Sequence, residues 1–112
     1  MMKILVLTER DDFCGPMAAA FLRDYSERVE VVSAGRHPAK DVSPLVVVAM
    51  RECLIDMADY KPRDMASVDL SAFDLIYECP DEPCPSELQA CRNLRDFIKN
   101  ESFKYYKKSR SN

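Results

Sequence analysis

The stretch LTERDDFCGPMAAAF, residues 7–21, constrains this chain more than any other. It grows out of KILVL (3–7), a continuous apolar run of the kind buried on both faces of a parallel sheet. Gly15-Pro16 then opens a helix, with proline at its first position, where a missing N–H and a fixed φ cost nothing. Met17, Ala20, Phe21 and Tyr25 recur at helical spacing through about residue 27. A strand feeding a loop and then a helix aims main-chain amides and the positive helix end at whatever the loop holds. In open α/β sheets such loops, beyond the strand carboxyl ends, are where ligands bind. The charge of this loop is unusual for an anion site: Glu9, Asp11 and Asp12 stand against the single Arg10.

The rest of the chain continues the alternation. VEVVSA (29–34) is β-branched and reads as a second strand, and Gly35 to Pro38 as a turn. Residues 42–55 hold LVVV, which alone suits a strand. Ser43-Pro44 ahead of it is an N-cap and first-position pair, and the run is long, so it reads as a helix. Residues 56–72 are polar and irregular, a loop with a short helical turn. FDLIYE (73–78) is a third strand and the proline-rich CPDEPCPSE (79–87) a loop. From Ser86 a long amphipathic helix follows, its buried face supplied by Leu88, Cys91, Leu94 and Ile98, with Phe97 beside them. This order predicts an α/β fold: a three-layer sandwich with a small parallel sheet of three strands, or four, right-handed crossovers and helices on both faces. A length of 112 residues suits a single domain, 1–112.

Composition narrows the function classes. A hydrophobic content of 47% supports a packed core. The formal net charge of −3 argues against non-specific nucleic-acid binding. No apolar run approaches the roughly 20 residues of a membrane span. The start, MMKILVLTER, reads as a buried strand and not as a signal peptide. The five cysteines are odd in number, Cys14, Cys53, Cys79, Cys84 and Cys91. With no export signal they are expected as reduced thiols in a cytoplasmic protein. No cofactor and no metal site is implied.

The chain resembles the low-molecular-weight protein tyrosine phosphatase family, including its thioredoxin-coupled arsenate reductase branch. That family begins with a strand, a Cys-x5-Arg phosphate loop, then Ser-Pro-Met-Ala and a helix. Here Lys3-Ile4-Leu5 leads into the loop, and Gly15-Pro16-Met17-Ala18 and Phe21 follow it. Val32-Ser33-Ala34-Gly35, His37-Pro38, Pro44-Leu45, Met50-Arg51, Ile55-Asp56 and Phe73-Asp74-Leu75-Ile76 come in family order. The resemblance covers residues 3 to about 84 and implies the phosphotyrosine-phosphatase-I-like fold. The catalytic residues depart from the pattern. Aligned without gaps from Lys3 to Pro16, the family's nucleophilic cysteine falls on Thr8 and its phosphate-binding arginine on Cys14. Its general acid lies in an Asp-Pro pair well past the third strand, whereas Asp81-Glu82-Pro83 has an extra residue and comes much earlier.

These swaps have physical consequences. Phosphoryl transfer of this type needs a thiolate nucleophile, a cradle of N–H groups and a bidentate guanidinium. A threonine hydroxyl needs an adjacent base, and the sole histidine, His37, follows a different strand. An aspartate about 6 Å from a dianion, at an effective dielectric of about 20, costs on the order of 5 kcal/mol. The helix N-terminus returns only about 0.3–1 kcal/mol. Unless Asp11 and Asp12 point away, repulsion wins and phosphate is not held tightly. The residues Thr8, Glu9, Arg10, Asp11, Asp12, Phe13, Cys14 and Gly15 are the ligand-binding candidates, with Thr8 and Cys14 at the degenerate catalytic positions. The leading expectation is a pseudoenzyme, a binding or regulatory domain for a protein partner or small ligand.

Other features qualify that expectation. The arsenate reductase branch uses a loop cysteine and two more after the third strand, and Cys79 and Cys84 lie there, so Cys14, Cys79 and Cys84 are redox candidates for an alternative, enzymatic reading. Oxygen donors at Glu9, Asp11 and Asp12 match no calcium-loop spacing, and Cys14, Cys79, Cys84 and Cys91 match no zinc spacing. Arg36, His37, Lys40, Lys61 and Arg63 are expected beside the loop mouth, where they would pair with its acids, bind a partner or lie as solvated surface. KYYKKSRSN (104–112) reads as a basic helix end. With no fourth strand, FDLIYE becomes a sheet edge, which proteins cover or pair, so a homodimer is a further expectation.

Overall fold

The structure is a computed structural model that describes residues 2–79 and 85–110. Its elements are β1 (Met2–Thr8), α1 (Cys14–Tyr25), β2 (Val29–Gly35), α2 (Pro44–Arg51), β3 (Leu75–Glu78) and α3 (Leu88–Arg110), with two 3-10 turns at Met65–Ser67 and Leu70–Ala72. The three strands form one parallel sheet in the order β2-β1-β3. The central strand is the apolar run: Ile4, Leu5, Val6, Leu7 and Thr8 are all buried. Strand side chains alternate between faces, so a strand buried at every position has both faces covered. Ile4 and Val6 share one core cluster with Met17, Phe21 and Leu22 of α1, Val46, Ala49 and Met50 of α2, and Cys91 and Ile98 of α3. Leu5 and Leu7, on the opposite face by alternation, are buried as well.

Boundaries shift where local chemistry outweighs pattern. Helix α1 begins at Cys14, two residues before Pro16, because the amide of Met17 closes on the carbonyl of Phe13 at 3.3 Å. Proline fits there, since the first-turn amides of a helix have no intrahelical acceptor. The region 42–55 is helical as expected, but α2 is regular only over Pro44–Arg51. Its end is a Schellman motif: Ile55 N–H donates to Met50 O at 3.0 Å, Leu54 N–H to Arg51 O at 2.9 Å, and Leu54 adopts φ 63°. Within 56–72 there are two helical turns instead of one, started by Asp64 and Asp69, whose carboxylates accept from Ala66 N and Ser71 N. Helix α3 buries Cys91, Ile98, Ser102 and Tyr106, and leaves Leu88 and Leu94 half-buried. Phe97, expected on the buried side, is 51% exposed, because it lies off the stripe that Cys91 and Ile98 set.

Helices α2 and α3 are tied by charge. Arg92 and Arg95 both donate to Glu52, and Arg95 also donates to the carbonyl of Ala49 at 2.9 Å. The Arg92 guanidinium, with Arg95 adding to it, holds the Glu52 carboxyl at about 2. Among the described residues β3 is an edge of the sheet, and Ile76 on it is 45% exposed. No helix among the described residues is long and apolar enough to cross a membrane.

Candidate functional site: the loop between β1 and α1

Residues 9–13 form the loop, and its shape is set by the main chain. Its carbonyls are tied to the segment after β2: Arg36 N–H donates to Thr8 O at 3.0 Å, His37 N–H to Glu9 O at 2.7 Å, Ala39 N–H to Arg10 O at 2.9 Å and Ser43 N–H to Asp12 O at 3.0 Å. All peptides are trans. In a trans peptide the next N–H points opposite to the carbonyl. The amides of Glu9, Arg10, Asp11 and Phe13 therefore point away from residues 36–43. One is seen at its target: Asp11 N–H donates to Thr8 Oγ1 at 3.1 Å. Successive amides facing one concavity, beside the start of a helix, form an anion-binding cradle. Thr8, 2% exposed, sits at its base.

Two close approaches fix the cradle. A Cβ on Gly35 would lie 2.9 Å from the backbone carbon of Arg10 and 3.0 Å from Asp11 N and Glu9 O, so β2 meets the loop there with no room for a side chain. A Cβ on Gly15 would lie 3.0 Å from Thr8 Oγ1 and 3.3 Å from Asp11 Oδ1. The turn itself needs Asp11 at φ 53°, a conformation that aspartate and asparagine tolerate better than most residues.

The acids do not ring the mouth. Asp11 is 1% exposed, and its carboxylate turns inward. Its Oδ2 accepts from the Tyr60 hydroxyl and from the Arg63 amide at 2.9 Å. Since the Tyr60 proton is committed to Asp11, the Ser33 hydroxyl donates to the Tyr60 oxygen, at 2.5 Å. Asp11 Oδ1 is buried and makes no hydrogen bond among the described residues. Burial pushes the Asp11 carboxyl above the usual range, against the lowering effect of the bonds from Tyr60 and Arg63. Burial, with Asp11 alongside, drives the Tyr60 hydroxyl well above the ordinary tyrosine value. Asp12 pairs with Arg10 at 3.4 Å, and Glu9 with Nδ1 of the exposed His37 at 2.5 Å. The acid at position 11 thus does not stand at the mouth: it is buried and accepts hydrogen bonds from Tyr60 and Arg63.

The remaining candidates scatter. Phe13 and Cys14 belong to the core cluster. Cys14 does not stand at the mouth. Its side chain and that of Cys79 line one narrow apolar cavity against α3, and the Cys79 thiol donates toward Cys14 O at 3.8 Å. Cys84 and Asp81-Glu82-Pro83 lie outside the described residues. Of the flanking cations, Arg36 pairs with Glu78 at 2.7 Å and Lys61 with Asp41 at 2.9 Å, while Arg63 contributes its main-chain amide. Among the described residues no group of three or more His, Cys, Asp or Glu is placed to hold a metal. Tyr60 is the residue that sequence reasoning misses. It lies in an irregular segment, far from Asp11 in the chain, and no spacing marks it.

No protein-family profile matches the chain. It is 28% identical over 94 residues to a putative arsenate reductase of Halobacterium salinarum, a match covering 68% of this chain and 66% of that relative's length. Among solved structures it superposes on the arsenate reductase of Archaeoglobus fulgidus with a TM-score of 0.81, at 19% identity, covering 92% of this chain and 98% of that one. It superposes on the low-molecular-weight protein tyrosine phosphatase of T. tengcongensis with a TM-score of 0.83, at 18% identity, covering 96% and 99%. The chain has the fold of the low-molecular-weight protein tyrosine phosphatases and arsenate reductases and resembles them in sequence.

Proposed function

We propose that this chain is a non-catalytic relative of those enzymes, which keeps the amide cradle and acts by binding, without turning over phosphate or arsenate esters. The observation that carries this reading is the state of Thr8. Its hydroxyl, where the resemblance puts a nucleophile, accepts a bond from the Asp11 amide. The nearest buried carboxylate oxygen, Asp11 Oδ1, makes no hydrogen bond with it. A hydroxyl without a base is a poor nucleophile at neutral pH. The position expected to grip the oxyanion is a thiol, Cys14, buried in the core. The inward turn of Asp11 makes the cradle more hospitable to a small oxyanion than its composition suggests. Without a guanidinium, binding stays weak. A generic aryl phosphate assay and a thioredoxin-coupled arsenate assay are expected to show no turnover above buffer. Turnover that disappears in Thr8→Ala or Cys14→Ser overturns the reading.

A second reading is arsenate-reductase-like thiol chemistry. It is favoured by the shared cavity of Cys14 and Cys79 and by the name of the Halobacterium salinarum relative. The arsenate assay separates the two. A third reading, dimerisation along β3, draws on the exposed Ile76 of that edge strand. Light scattering that finds only monomer at high concentration removes it.

A further inference from the structure

Asp11 is the fully buried acid of the loop, while Arg10 beside it is exposed and Asp12 is half-buried. Each element around it presents a different group. From β1 comes the Thr8 hydroxyl, which accepts from the Asp11 amide at 3.1 Å. From the segment 56–64 come the Tyr60 hydroxyl and the Arg63 amide, both on Oδ2, and the positive charge of Arg63 acts on the same carboxyl. From β2 comes Ser33, bonded to Tyr60. From α1 comes the bare Cα of Gly15, where a Cβ would lie 3.3 Å from Oδ1 and 3.0 Å from Thr8 Oγ1. Arg23 of α1 is a further cation nearby: burial lowers its guanidinium from the ordinary value, Tyr60 raises it and Arg63 lowers it. Oδ1 thus lies against the first turn of α1, and among the described residues it has no donor. The other charges of the loop are paired, Arg10 with Asp12 and Glu9 with His37. Among the described residues no cation forms an ion pair with Asp11.

We propose that Asp11 is a proton gate for the loop: a small oxyanion is held while Asp11 carries a proton and is released when that proton leaves. The proposal rests on the binding reading of the cradle and names the regulation of that site. An anion on the loop amides shares the loop with the Asp11 carboxyl, and charges out of contact with water are screened little by salt. An ionised carboxylate opposes the anion, and a neutral one does not. The bonds on Oδ2 favour the ionised form, burial favours the neutral form, and burial prevails. Where Asp11 is ionised beforehand, anion binding takes up one proton from solvent, and release returns it. By reciprocity, a bound anion makes Asp11 hold its proton more tightly. The sign follows: the site is filled at the acid side of the Asp11 transition and emptied at the alkaline side.

The test is a sulfate titration of the full chain, followed by NMR at the loop amides in steps from acid to neutral pH. Sulfate is the probe because it stays a dianion throughout, whereas phosphate itself titrates. The dissociation constant is expected to rise by roughly tenfold or more across the Asp11 transition and then to level off. Asp11→Asn is expected to bind at every pH as the wild type does in acid. Tyr60→Phe removes a bond that favours the ionised form, so the midpoint is expected to move to higher pH. His37→Gln removes the imidazole that titrates in the same range and is expected to leave the midpoint in place. The gate is overturned, with the cradle reading intact, by sulfate affinity in the wild type that is flat or rises with pH. The same holds for an Asp11→Asn chain that follows the wild-type curve, a midpoint unmoved in Tyr60→Phe, or a dependence lost in His37→Gln. Failure of both wild type and Asp11→Asn to bind sulfate at any pH overturns the cradle reading, and the gate with it.

Discussion

The main-chain amide of Arg63 donates to the carboxylate of Asp11 at 2.9 Å, joining two residues 52 positions apart at the underside of the loop. The bond puts a buried acid in the middle of a hydrogen-bonded chain that runs through Tyr60 to Ser33. Among the described residues one carboxylate oxygen is served twice and the other makes no hydrogen bond. An unserved buried acceptor costs roughly 1–3 kcal/mol. Asp11→Asn keeps an oxygen for Tyr60 and Arg63, tolerates the positive φ, and places an NH2 group on the side of Thr8 Oγ1. It is expected to raise stability at neutral pH by about 1 kcal/mol, read from the urea midpoint at unchanged slope. A loss of stability would show that the ionised carboxylate is the form the loop requires.

The same residue sets a pH dependence. Burial raises the Asp11 carboxyl in the folded state, so the native protein holds that proton more tightly than the unfolded chain does. Its contribution is fully present below the ordinary carboxyl range and is lost as pH rises through the elevated native value. The stability difference between Asp11→Asn and wild type is therefore expected to grow across that rise and level off above it. Urea titrations of both proteins from acid to neutral pH measure it. A difference that shrinks with rising pH contradicts the assignment.

Tyr60→Phe removes the hydroxyl that donates to Asp11 and hydrogen-bonds Ser33. The expected cost is about 2 kcal/mol. Combined with Asp11→Asn, the two changes should fail to add, because they share one hydrogen bond. Additivity in a double-mutant cycle would mean that the contact carries no energy.

Gly35→Ala drives a methyl group into the backbone of Arg10, Asp11 and Glu9 at 2.9–3.0 Å. No flexible side chain is available to yield. The expected destabilisation is about 1–3 kcal/mol, and amide exchange should quicken at Arg36, His37 and Ala39, whose bonds hold the loop. Exchange unchanged at those three amides would argue against the contact.

Leu54 is 96% exposed and holds the left-handed position at the end of the α2 segment. A non-glycine residue there carries a penalty of about 1–2 kcal/mol. Leu54→Gly is expected to stabilise the protein by up to about 1 kcal/mol, since glycine also gives back chain entropy. A thermal melt decides it.

The fold was legible because the strong signals were periodic and local. KILVL could hardly be anything but a buried strand, and Ser43-Pro44 resolved LVVV as helix by its start signal. The misplaced features had causes that lie between elements. Phe97 fits an amphipathic helix on either side of the stripe, and only the packing of Cys91 and Ile98 sets its margin. Leu54 ends a helix in a role usually given to glycine, so nothing in its identity marks the stop. At the site, the sequence locates the loop and its eight residues, but spacing alone leaves open whether Asp11 and Asp12 face the ligand or point away. What turns Asp11 inward is a tyrosine hydroxyl and a main-chain amide from a segment without periodicity, and one-dimensional spacing does not encode such meetings.

The carbonyl of Thr8 and three carbonyls of the loop are anchored to amides of residues 36–43, and none of those bonds involves a side chain. The outline of the hollow is thus set largely by main-chain bonds, with Thr8 Oγ1 accepting one amide from within. Substitutions among the exposed side chains along it should therefore leave those main-chain anchors, and the outline they set, in place.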